Sequence, residues 1–82
     1  MKLPRDLSGR ELAKMLEPCG YRVTRQVGSH LRLTSTARGK EHHITVPAHM
    51  ALRVGTLSGV LSEVASYLEI DRNQLAIKLF GA

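Results

Sequence analysis

Gly28-Ser29-His30 separates two runs of alternating apolar and polar residues, and Arg22, Arg25, Arg32 and Arg38 flank it in sequence. An imidazole changes charge near neutral pH, and a guanidinium presents a fork of N–H donors to phosphate. A histidine at a tight turn among arginines can therefore do chemistry on a phosphodiester backbone rather than merely attach to one. Metal-free RNA cleavage needs a base for the ribose 2′-hydroxyl, an acid for the leaving oxygen and cations for the phosphorane. His30 in its neutral form can be the base. Arg32 and Arg25, with Arg22 as a weaker third, can supply the cations. Ser29 can donate to phosphate or simply stabilise the turn.

The other candidate groups carry less. His42, His43 and His49 invite a metal site, but neighbouring strand residues point to opposite faces, so His42 and His43 do not face one ion. Glu41 is the only carboxylate close to them in sequence, and no metal or other cofactor is expected. His49 follows Pro47-Ala48 and is either a supporting site residue or a loop residue bonded to backbone. Cys19 has no histidine or basic pair beside it and reads as a helix-end residue.

Bulk properties bound the partners. Eighty-two residues make one domain, and a single cysteine cannot form an internal disulfide, which fits a reduced, cytoplasmic setting. No apolar stretch approaches the ~18 residues of a membrane span. Met1-Lys2-Leu3-Pro4-Arg5-Asp6 turns polar at once and does not resemble a signal peptide. The net charge is +5, and residues 1–54 hold ten Lys/Arg against four Asp/Glu, whereas residues 55–82 hold two against three. A polyanion or an acidic protein would dock on the first two-thirds of the chain. With only Tyr21, Tyr67 and Phe80 as aromatics, a base-stacking platform is disfavoured.

The elements that must hold these groups follow from periodicity. Ser8 and Glu11 fit a capping box, and Leu12, Met15 and Leu16 continue a helix to about residue 18, stopped at Gly20. Tyr21–Val27, Leu31–Thr36 and His42–Val46 alternate as strands. Thr56 can cap a second helix with an apolar stripe of Leu57, Val60, Leu61, Val64 and Leu68, and Asp71 can cap a short third. Gly59 inside the second helix points to a close backbone neighbour. The order α-β-β-β-α predicts an α+β two-layer sandwich with one sheet face open.

Parity constrains the first hairpin. A two-residue Gly28-Ser29 loop would set Gln26 against Leu31 and Thr24 against Leu33. A three-residue loop, Gly28-Ser29-His30, sets Val27 against Leu31 and keeps Val23 and Val27 on the buried face, so the longer loop is expected. Either way His30 lies on the side of Arg32, away from the core.

Gly28-Ser29-His30, then Pro47-Ala48-His49, then Gly55-Thr56-Leu57-Ser58-Gly59-Val60-Leu61, in this order, resemble the HicA (YcfA-like) toxin family, from about Asp6 to Leu68. The resemblance implies a fold like the double-stranded-RNA-binding domain and metal-independent mRNA cleavage by a single catalytic histidine, matched here by His30. It also implies neutralisation by a HicB-type antitoxin, and it makes His49 a recurrent family position. Residues 69–82 extend beyond the matched part. Two other readings stay open: a non-catalytic duplex-RNA-binding module, and a module that binds only an acidic protein. The absence of Lys and Arg between Val54 and Asp71 counts against the first of these.

Overall fold

Ser8 opens the first helix as its residue type demands. In the computed structural model, which describes residues 3–81, the Ser8 hydroxyl accepts the Glu11 N–H at 3.2 Å and Glu11 Oε1 accepts the Ser8 N–H at 2.9 Å. Two otherwise orphaned donors are satisfied. These bonds, the Ser8 N–H foremost, hold the Glu11 carboxyl below its ordinary range. Helix α1 covers Gly9–Met15. It does not continue to residue 18: Pro18 lacks an N–H, and Glu17–Cys19 form a separate 3₁₀ turn.

Strands β1 (Tyr21–Val27), β2 (His30–Ser35) and β3 (His42–Pro47) form one antiparallel sheet in the order β1-β2-β3. Helices α2 (Val54–Leu68) and α3 (Arg72–Phe80) complete the chain. Leu12 and Leu16 of α1, Leu31, Leu33, Ile44 and Val46 of the sheet, Leu57, Leu61 and Val64 of α2 and Leu75 of α3 share one buried core. This is the expected α+β sandwich, with helices on one sheet face.

Two local expectations give way to longer-range contacts. Helix α2 starts at Val54 with Arg53 as its N-cap and no side-chain cap, so Thr56 lies inside the first turn. The entry is set from outside: buried Leu52 donates its N–H to the Leu7 carbonyl at 2.7 Å, and Ala51 bridges to Ser8. The close backbone approach is at Gly9 rather than Gly59. A Cβ on Gly9 would stand 1.8 Å from the Pro47 carbonyl oxygen, whereas one on Gly59 would meet nothing within 4 Å. The Arg10 N–H reaches the Ala48 carbonyl at 3.1 Å, so the start of α1 rests directly on the end of β3. Asp71 caps α3 as expected, accepting from Asn73 and Gln74.

The first hairpin closes through the two-residue loop after all. Val27 pairs with His30 and Gln26 with Leu31. Gly28 has φ 58° while Ser29 stays at negative φ, the pattern of a type II′ turn, which suits the strand twist and asks for glycine first. His30 is thus the first residue of β2 and not part of the loop. The polar–apolar conflict is resolved by a bulge: Val23 pairs with Leu33, Arg25 pairs with Arg32, and Thr24 is the extra residue. One inserted residue reverses the alternation of everything beyond it. Val23 stays on the core side but overhangs the sheet edge at 48% exposure, and Val27 moves to the open face at 61%. Neither valine joins the core.

Candidate functional site

The bulge arranges the open face in three cross-strand rows. Val27, His30 and Pro47 form the first; Arg25, Arg32 and Thr45 the second; Arg22, Thr34 and His43 the third. Arg25, Val27, His30, Arg32, His43 and Thr45 line one depression of about 290 Å³. His30, Arg25 and Arg32, separated in sequence, are therefore brought together, and His30 is exposed beside them.

The arginine pair is costly in isolation. Like charges directly opposite on neighbouring strands destabilise a sheet, and among the described residues neither Arg25 nor Arg32 forms an ion pair. Two forks of unpaired donors on one solvent-facing row are suited to hold an anion, with bidentate geometry available to phosphate oxygens.

His43 was legible as outward-facing from its parity, yet only its place in the depression shows it as part of the site. Its Nδ1 lies 2.8 Å from Thr34 Oγ1, which lies 2.8 Å from Thr24 Oγ1. Its Nε2 lies 3.2 Å from Glu41 Oε1. The bulged Thr24, a side chain with no role in the expected register, thus belongs to a polar chain under the site.

The remaining sequence candidates lie outside this depression. Arg22 shares the open face through its pairing with Thr34 but sits a row beyond the arginine pair. Ser29 is in the turn, where its carbonyl accepts the Ala48 N–H at 2.7 Å and ties the hairpin to the segment after β3. His49 is exposed in that segment and does not line the depression. His42 faces the other way. Its Nδ1 is 2.6 Å from the Tyr21 hydroxyl, and its ring stacks on Tyr67 at 4.9 Å. Burial holds the Tyr21 phenol above its ordinary value, with the nearby Tyr67 adding to the effect. Tyr67 accepts the Arg38 N–H at 3.0 Å and donates to the Lys40 carbonyl, pinning the β2–β3 loop to α2.

A recess of about 430 Å³ opens beside this cluster, lined by His42, Ser62, Glu63, Ser66 and Tyr67. It is larger than the depression on the open face but has a carboxylate and no arginine, so it lacks the fixed positive charge that the open face presents. Among the described residues no group of three or more His, Cys, Asp or Glu side chains could hold a metal ion, and no helix is long and apolar enough to cross a membrane.

No curated protein and no solved structure matches the chain. The family model described as the HicA toxin of bacterial toxin–antitoxin systems matches residues 9–65, a span that includes all three strands, the exposed His30 and the arginine row. The chain belongs to the HicA toxin family.

Proposed function

We propose that this HicA-family chain is an mRNA endoribonuclease that works without a metal, with His30 as its catalytic histidine and the open sheet face as its RNA-binding surface. The observation that carries this reading is the row order: an exposed imidazole stands next to two arginines that face each other with no acidic partner among the described residues. His30 takes the 2′-hydroxyl proton, the 2′-oxygen attacks phosphorus, and the P–O5′ bond breaks. The products are a 2′,3′-cyclic phosphate and a free 5′-hydroxyl. Arg25 and Arg32 contact the phosphate and stabilise the charge that builds on it, Arg22 extends the contact along the strand, Ser29 adds a further RNA contact, and His49 is a supporting residue. A HicB-type antitoxin in the same cytoplasm neutralises the toxin.

The test is incubation of purified protein with a defined RNA in excess chelator, beside His30→Ala. The parent should cut and His30→Ala should lose at least the ~10²-fold that one positioned base contributes, with its folding and RNA affinity nearly unchanged. A 2′-deoxy residue at the cut site should block the reaction. Equal cleavage by His30→Ala would remove His30 from the mechanism.

A further inference from the structure

The leaving 5′-oxygen needs a proton, and His30 as base does not supply one. We propose that His43 is the general acid of this site, an assignment that rests on the endoribonuclease reading above. In-line displacement puts the attacking 2′-oxygen and the leaving 5′-oxygen on opposite sides of phosphorus. Base and acid must therefore stand on opposite sides of the cations that hold the phosphate. The rows have this order: His30 on the first, the arginine pair on the second, His43 on the third. His43 lies four residues before Pro47, the partner of His30, which is about 14 Å of strand at ~3.4 Å per residue. Both side chains line the same depression as the arginine pair.

The polar chain beneath the site and Glu41 give each ring nitrogen of His43 a partner. The far end of that chain is the Arg32 carbonyl, which can only accept, at a long 3.4 Å from Thr24 Oγ1. One assignment satisfies every link: Thr24 donates there, Thr34 donates to Thr24, and Thr34 accepts from a protonated His43 Nδ1. On the other side of the ring a carboxylate oxygen of Glu41 accepts from Nε2–H. In its imidazolium form each ring nitrogen has an oxygen to donate to, and that form carries the proton the leaving oxygen needs. Nδ1–H is anchored in the sheet and fixes the ring. Nε2–H is held only by Glu41, whose side chain is largely exposed and is repelled by an incoming phosphate.

The step balances. His30 gains the 2′-hydroxyl proton, the P–O2′ bond forms, the P–O5′ bond breaks, and the Nε2 proton of His43 passes to O5′. His43 ends neutral and His30 protonated, and exchange with water resets both.

A sulfur leaving group discriminates this role from all others. A short RNA with one site that the parent cuts is made in two forms, ordinary and with sulfur in place of the bridging 5′-oxygen. A thiolate leaves without a proton. His43→Ala and His43→Gln should each slow cleavage of the ordinary RNA by about 10²-fold or more, yet cut the sulfur-bridged RNA within about tenfold of the parent. His30→Ala should be slow on both. The inference is overturned if the His43 variants cut ordinary RNA within a few-fold of the parent, or if their loss is equal on both substrates. The latter result would make His43 a positioning or structural residue. A parent that cuts no RNA, so that no such substrate exists, overturns the endoribonuclease reading and this inference with it.

Discussion

At the scale of single residues, the open face has given up stability for charge. Arg25 and Arg32 oppose each other without a carboxylate partner among the described residues, while threonine, found beside them at Thr45, is a better strand former and carries no charge. Arg25→Thr should therefore stabilise the fold by a few tenths to about 1 kcal/mol, read in urea unfolding at low salt, where screening is weakest. The same variant should bind RNA more weakly. Destabilisation by Arg25→Thr would mean that the arginine stem packs usefully against Val27 and that repulsion is not the governing effect.

At the scale of elements, the contact between α1 and β3 positions the sheet under the helices, and two glycines in helices should respond oppositely to the same change. Alanine favours a helix interior by ~1 kcal/mol over glycine. Gly59 is exposed with free space around it, so Gly59→Ala should raise stability by roughly 0.5–1 kcal/mol. Gly9 is buried against the Pro47 backbone, and a backbone neighbour cannot swing aside as a side chain can. Gly9→Ala should lower stability by about 1–3 kcal/mol, measured by the same unfolding curves. The Gly9 substitution should also loosen the end of β3, where Pro47 faces His30. RNA cleavage should fall with it even though no site residue has changed.

At the scale of the whole molecule, two features act over the full width of the fold. If the open face binds RNA as proposed, the charge asymmetry makes that binding an electrostatic event. Affinity should fall steeply as salt rises, and Arg32→Ala should flatten the log–log slope by about 0.7, one single-strand phosphate contact. Binding that ignores salt would favour a protein-only partner for this face. The second feature is the Tyr21–His42–Tyr67 cluster, which joins β1, β3 and α2. Burial raises the Tyr21 phenol above its ordinary value of 10, so the unfolded chain loses this proton at lower pH than the folded one. The stability it contributes is whole below pH 10 and is lost as pH climbs from there toward the raised value. Alkaline unfolding should therefore be steeper above pH 10 in the parent than in Tyr21→Phe. Near neutrality, the variant should be weaker by about 1 kcal/mol for the lost bond to His42.

What the sequence by itself determined is whatever depends on near neighbours. Ser8 with Glu11 and Asp71 with its following turn carry their caps within three residues. Leu31 and Leu33, or Ile44 and Val46, mark a core face by alternation within one strand. The same alternation put His30 with Arg32, and His43 with Thr45, on the solvent side, and the ordered tripeptides carried the family. Register is a different kind of property. It is the joint optimum of two strands, a turn and the packing beneath them, and a bulge at Thr24 satisfies a tight II′ turn and a buried Leu33 together, which no alternation within β1 displays. For that reason Val27 lies beside His30 and not in the core, and Thr24 reaches Thr34. Contacts between distant segments were equally hidden: Gly9 on Pro47, Leu52 on Leu7, and Tyr67 on the β2–β3 loop each join residues too far apart for any local pattern to register. The site needed both levels. Parity chose which side chains face outward, and the tertiary pairing, with its one-residue slip, decided which of them share one depression.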